Sequence, residues 1–476
     1  MAHRKETVLR EKQSARLLSP TVRKIGLIGI VFALFFLIRN FLPIDPRDGL
    51  SDALSVRTGL AILALAAVLW LTEALPLALT AILIPVASAL TGVMDVGGSF
   101  SGFSHPLIFL FLGGFSLAAA LSRQGLDRWL AMRILVLGRG NFHLTAIALF
   151  LVSAMLSMWI SNTATVALLL PVALGILGNI SSRCGETTSA KVAPYLLLGI
   201  AYSASIGGIG TLIGTPPNAI AAAHLKISFT EWLKIGIPCV LVLLPVLFVL
   251  LRVLARPGTV PRFEVNVQTF SFTPQRIATL GIFLLAICGW LFSGPLSMFF
   301  GISKFFDTLV AITAVLVLAG LKLVRWKDID RATDWGVLLL FGGGITLSRV
   351  LGKTGASQYL ATQIQEFTMG WPVILILGVV VLFVIFLTEI SSNTASTALL
   401  VPIFAAVAMD MGIPVTQLVL PLTIAASCAF MLPIATPPNA IVFSSGKIQQ
   451  REMIRIGLVL NGVFAVVLTI FGYFYF

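Results

Sequence analysis

The chain has 476 residues, 58% of them hydrophobic and only 11% charged, with a formal net charge of +13. That is too little charge to cover a soluble protein of this length. Long apolar runs recur throughout, so an all-α polytopic membrane protein is expected, not a barrel of short alternating strands.

The positive charge sits in short segments between the apolar runs, as the positive-inside rule requires of cytoplasmic loops, and this argues against a nucleic-acid partner. Residues 1–24 hold seven Lys and Arg and read as a cytoplasmic basic arm. The apolar stretch from Ile25 ends at Pro43-Ile-Asp-Pro-Arg47 without a small-x-small cleavage site, so it reads as an uncleaved first helix. Eleven spans are expected, near 25–42, 56–74, 77–94, 105–122, 193–223, 235–251, 277–293, 306–321, 335–350, 416–443 and 454–476.

Two further apolar regions, 143–178 and 371–409, carry a polar knot in the middle: Ser161-Asn-Thr163 and Ser391-Ser-Asn-Thr394. Each half of these regions is shorter than the roughly 20 residues of a crossing. They read as re-entrant hairpins, whose non-helical tips need protein or a water-filled cavity around them. With both hairpins re-entering, 24 of the 32 Lys and Arg fall on one side of the membrane. The N-terminus is then cytoplasmic and the C-terminus outside, in a bacterial inner membrane.

The chain repeats itself. Gly113-Gly114 and Gly125 match Gly343-Gly344 and Gly355, Ser161-Asn-Thr163 matches Ser392-Asn-Thr394, and Thr215-Pro-Pro-Asn218 matches Thr436-Pro-Pro-Asn439. The charge pattern places the base of the first hairpin inside and that of the second outside, so the copies are inverted, the architecture of secondary transporters. The expected organisation is scaffold helices over 25–104 and a first inverted repeat over 105–255 (hairpin 143–178, broken helix 193–223). A cytoplasmic linker over 256–276, scaffold helices over 277–334 and a second inverted repeat over 335–476 (hairpin 371–409, broken helix 416–443) follow.

Two consecutive prolines break each Thr-Pro-Pro-Asn helix at mid-membrane. Freed carbonyls there suit a hard cation, and amides at helix N-termini suit an anion. Serine, threonine and asparagine at the hairpin tips serve either ligand. No Lys or Arg lies in a tip or a Pro-Pro loop. A neutral pocket holds a dianion poorly unless bound cations supply charge, so cation-coupled anion transport is expected, with Na⁺ as the coupling ion. Glu73 and Glu389 are the intramembrane acids nearest the motifs and read as structural, Glu389 through bonds to broken backbone in the hairpin. His105 and His143 read as interfacial, and Cys184, Cys239, Cys288 and Cys428 lack metal-ligand spacing. No enzyme constellation is present.

The stretch Ser427-Cys-Ala-Phe430-Met-Leu-Pro433-Ile-Ala-Thr-Pro-Pro-Asn439 resembles the diagnostic pattern of the divalent anion/sodium symporter family of di- and tricarboxylate carriers. The resemblance extends over nearly all of the chain after the basic arm. It implies eleven helices, two hairpins, a homodimer and an elevator-type movement. It also implies two sodium sites: Ser157, Ser161, Asn162 and Gly214 for the first, and Thr388, Ser391, Asn393 and Ala435 for the second. Substrate carboxylates would meet Ser161, Asn162, Thr163, Ser392, Asn393 and Thr394, with Thr215 and Thr436 nearby. The expected function is Na⁺-coupled symport of succinate, fumarate or malate. The alternatives are Na⁺-independent carboxylate antiport, or carriage of citrate or sulfate.

Overall fold

The computed structural model describes residues 20–44, 52–136, 140–258, 260, 270–302 and 304–476. Most of the expected basic arm and the middle of the 256–276 linker lie outside them. The described residues form helices and their connections, without a strand.

The chain begins with α1 (Pro20–Phe41), α2 (Ala53–Thr72) and α3 (Leu77–Leu90). Asp52 caps α2, and Glu73 ends it in the left-handed region at φ 47° just before Pro76. The short α4 (Val96–Phe100) leads to α5 (Pro106–Arg123) and α6 (Leu126–Val136). The first hairpin follows as α7 (Phe142–Ser157) and α8 (Asn162–Cys184), capped by Asn141 and Ser161. The first broken helix is α9 (Glu186–Gly208) and α10 (Pro216–Leu225), and α11 (Phe229–Ala255) opens on a Ser228/Glu231 capping box.

The second half runs through α12 (Pro274–Leu291), α13 (Ser293–Phe299), α14 (Phe306–Gly320), α15 (Trp326–Ala332), α16 (Trp335–Thr354) and α17 (Ala356–Phe367). Its hairpin is α18 (Val373–Thr388) and α19 (Asn393–Asp410), its broken helix α20 (Val415–Ala425) and α21 (Pro437–Ser444), and α22 (Gln450–Tyr475) closes the chain.

Among the described residues, ten helical segments are long and apolar enough to cross a membrane. Three of them, α8, α18 and α19, belong to the hairpins. The expectation that each hairpin half is too short for a crossing therefore fails for α8, which has 23 residues. After Pro171 nothing interrupts it until Gly185, at φ 87°. The first broken helix likewise starts at Glu186, well before the expected 193.

Two packed groups emerge. In one, α16 lies on α2 and α3, and α5 lies on α14 and α15. Small residues make these contacts close: a Cβ on Gly113 would sit 2.5 Å from Ala311 Cβ, and one on Gly343 would sit 2.6 Å from Ala81 Cα. Matching glycines of the repeat therefore do matching work. In the other group α9 packs on α7, α8 and α11, while α18, α20 and α22 pack together. The repeats interlock here, because α10 lies on α19 and α20, and α21 lies on α8 and α9.

Charged segments gather in sets. Arg123 pairs with Asp328, and Arg276 Nε donates to Gln124 O at 3.1 Å. Elsewhere Arg455 donates to Leu254 O at 3.3 Å and His143 meets Gly258 O at 3.0 Å. Arg349 donates to Ser101 Oγ, and Tyr475 Oη donates to Lys234 O at 2.9 Å.

Candidate functional site

Each hairpin tip meets the broken helix of its own repeat. In the first repeat α7 ends at the fully buried Ser157, whose hydroxyl donates to Asn162 Oδ1 across the tip. Thr211 Oγ1 donates to Met158 O and ties the tip to the loop between α9 and α10. The loop is close-packed backbone. A Cβ on Gly214 would lie 2.4 Å from Gly208 O and 2.9 Å from Ser157 O, and one on Gly208 would lie 2.6 Å from Asn162 Oδ1 and 3.2 Å from Gly214 O. Oxygens of Gly208 and Ser157 thus crowd one methyl-sized position, and those of Asn162 and Gly214 crowd another. Their number and type suit a hard monovalent cation.

Asn218 shapes this loop. Its Nδ2 donates to Thr211 O at 2.7 Å, Gly208 O at 2.9 Å and Ile209 O at 3.3 Å. Trp232 Nε1 also donates to Ile209 O, at 2.9 Å. In the second repeat Asn439 Nδ2 donates to Ala429 O and Leu432 O, both at 3.1 Å. These acceptors stand 221 residues after Gly208 and Thr211, the offset of the Thr-Pro-Pro-Asn motifs. Both side-chain oxygens, Asn218 Oδ1 and Asn439 Oδ1, are buried without a hydrogen-bond partner among the described residues. Neither asparagine was among the expected site residues, although their identical offset within the repeat was available as a signal.

The second tip differs. Thr388 Oγ1 turns back to Val384 O and Ile385 O, each at 3.0 Å. Ser391 Oγ bonds Leu387 O at 2.9 Å and Ser396 Oγ at 2.7 Å. Asn393 Oδ1 is buried without a hydrogen-bond partner among the described residues, and Ala435 is buried in the loop between α20 and α21. Glu389 holds that loop. Its carboxylate accepts from Met431 N at 2.8 Å, Leu432 N at 2.9 Å and Asn461 Nδ2 at 2.7 Å. It therefore bonds the loop facing the hairpin, not the hairpin's own backbone as expected. Tyr202, from the first repeat, donates to Phe430 O at 2.6 Å.

Proline corrects the expectation that the broken helices offer amides to an anion. Pro216-Pro217 and Pro437-Pro438 fill the first two positions of α10 and α21 and have no N–H. At the third position Asn218 N bonds Thr215 O at 3.2 Å and Asn439 N bonds Thr436 Oγ1 at 3.3 Å. Thr215 and Thr436 are both buried. The N-termini of α8 and α19 remain. Ser161 and Ser392 cap Ala164 N and Ala395 N, and helix geometry leaves the amides before these without intrahelical acceptors. Thr163 and Thr394 stand in these first turns, Thr163 exposed and Thr394 half-buried.

The family profile described as the sodium:sulfate symporter transmembrane region matches residues 26–476. An uncharacterised transporter of Haemophilus influenzae is 46% identical, over 94% of this chain and 97% of its own length. The sodium-dependent dicarboxylate transporter SdcS of Staphylococcus saprophyticus is 32% identical, over 94% of this chain and 91% of its own. Among solved structures, the YdaH transporter of Alcanivorax borkumensis has a similar fold, with a TM-score of 0.58 at 14% identity, covering 96% of this chain and 99% of that one.

Proposed function

The chain belongs to the sodium:sulfate symporter family, and from that premise we propose that it imports a C4-dicarboxylate together with Na⁺. The neutral oxygens of Ser157, Asn162, Gly208 and Gly214, crowded between the first tip and its loop, carry the reading. A neutral cradle of this size takes a bare monovalent cation, and the bound cation then attracts a carboxylate to the uncapped amides and hydroxyls of the two tips. Ser161, Asn162 and Gly214 with Ser157 hold one Na⁺; Thr388, Ser391, Asn393 and Ala435 hold another. The likeness to a sodium-dependent dicarboxylate transporter supports both the ion and the substrate class. Each net positive charge entering with the substrate gains roughly 2.3 kcal/mol per 100 mV of membrane potential.

An elevator movement is supported by unequal exposure of matching limbs. On α8 the small residues Ala164, Ala167, Pro171, Gly175 and Gly178 form one exposed face. Their counterparts on α19, Ala395, Ala398, Pro402 and Ala406, are buried, as the packing of α19 on α2, α16 and α17 requires. Only Met409, facing Gly178 in the alignment of repeats, is exposed. With the first hairpin's base on the cytoplasmic side, this is an inward-open arrangement. In the outward-open one, α8 would dock on the first repeat's equivalents of α16 and α17, which are α5 and α6.

The test is succinate uptake into proteoliposomes with and without an inward Na⁺ gradient. Uptake should require Na⁺ and rise with an inside-negative potential. Vigorous succinate counterflow without Na⁺ would replace symport by exchange, and Na⁺-driven sulfate uptake that succinate leaves unchanged would replace the substrate.

A further inference from the structure

A cavity of about 300 Å³, lined by none of the tip residues, lies between α5 and α16 on one wall and α10 and α19 on the other. Its α19 wall is Val401 with Ala398 and Pro402, the last two from the small face described above. Its polar lining is His105, His224, Lys226, Ser348 and Arg349, with no carboxylate. Neither Lys226 nor Arg349 has an acidic partner among the described residues. Arg349 spends one N–H on Ser101 Oγ, which leaves most of its five donors. His105 Nδ1 accepts from Leu107 N at 3.3 Å, so its proton sits on Nε2. The same ring caps the N-terminus of the 18-residue α5, whose dipole adds positive potential.

We infer that this cavity is a second anion site, which takes a small dicarboxylate from the outside face. Unpaired cations around one cavity of that volume are the chemistry that recognises two carboxylates. The site needs no Na⁺, because Arg349 and Lys226 supply fixed charge where the hairpin tips have none. It also spans two bodies. Ser348 and Arg349 ride on α16, and His224 and Lys226 ride at the end of α10; among the described residues the His224 Nδ1–Ser348 Oγ bond of 3.2 Å is the side-chain hydrogen bond that joins them. A dianion there bridges α10 to α16 and holds the carrier in the arrangement seen here. High outside substrate therefore slows the carrier's return and lowers uptake.

The choice of a dicarboxylate rests on the reading under Proposed function; the cavity does not. Binding is measured on the purified full chain in Na⁺-free choline buffer, by the shift of the thermal midpoint on adding succinate, with acetate at equal ionic strength as control. Succinate should raise the midpoint saturably and acetate should not. Lys226→Gln with Arg349→Gln should raise the half-saturating succinate concentration by about tenfold or more. His224→Asn, which keeps both surface cations, should weaken it less and serves if the double variant is unstable. Asn162→Ala with Asn393→Ala should leave the shift intact while abolishing Na⁺-driven uptake. No Na⁺-free shift, or a shift indifferent to the loss of Lys226 and Arg349, overturns the site. Loss of the shift in the asparagine variant assigns it to the tips instead. If that variant still takes up succinate normally, the tip-centred reading fails and the outer site stands.

Discussion

The loop after α9 and the loop after α20 follow one path with different chemistry. Both are templated by the asparagine of Thr-Pro-Pro-Asn, and both are touched by a glycine of the next helix. A Cβ on Gly236 would lie 2.5 Å from Ile209 O, and one on Gly457 2.3 Å from Phe430 O, again 221 residues apart. The first loop is then shaped by glycine and packs directly on its hairpin. The second has larger residues and is held by the Glu389 carboxylate, where the first repeat has Met158. A loop shaped by the absence of side chains tolerates no added atom, whereas a loop held by hydrogen bonds weakens by degrees.

The largest expected effect follows from the first half of that contrast. Gly214→Ala should cut Na⁺-driven uptake by ~100-fold or more, since displacement of a site by an ångström has that order of cost. Ala435→Gly at the matching place should do far less; equal losses would show that the two clasps do not differ. Glu389→Gln should come next. It keeps the shape but weakens bonds to a charged acceptor, worth about 1.5–3 kcal/mol each, and should raise the half-saturating Na⁺ concentration by about tenfold. If Met158→Ala matches that loss, the carboxylate is not what distinguishes the second loop.

Smaller effects separate the tips. Ser157→Ala removes the donor that orients Asn162, whereas the Thr388 hydroxyl is engaged by its own helix. Ser157→Ala should therefore raise the Na⁺ requirement several-fold more than Thr388→Val, at about 1 kcal/mol for a neutral hydrogen bond. Tyr202→Phe should cost a similar ~1 kcal/mol, read as lower thermal stability. The smallest effect lies far from the clasps. The Arg325 guanidinium, with Arg123 behind it, holds the Asp328 carboxyl down to about 2. A depressed carboxylate stabilises the fold above its ordinary value and loses that contribution as pH falls toward 2. Stability should thus not change between pH 5 and 8 on its account, and Asp328→Asn should leave uptake unaltered.

Much of this was legible in the residues because duplication exposes it. Polar knots marked the hairpins, and paired offsets matched the breaks and aligned Gly113 with Gly343. What was not legible depends on three-dimensional closure. Gly208 carries no motif signal, and its role shows only when Asn162 and Gly214 are seen beside it. Asn461 and Tyr202 reach the second loop from distant positions, by contacts that no local spacing signals. The length of α8 was misjudged because the apolar run ends near Gly178, yet the helix continues through Asn179 to Cys184.

The interlock of the repeats bears on how the protein is made. The first hairpin leaves the ribosome early, but α21, which backs α8, begins only at Pro437. At ~5–20 residues per second, the polar tip at Ser161 waits on the order of tens of seconds for its last neighbour. During that interval it must be sheltered by the insertion machinery or by α7 and α9 alone. Nonsense mutations late in the chain should therefore leave an early hairpin that quality-control proteases recognise, although every residue of that hairpin is intact.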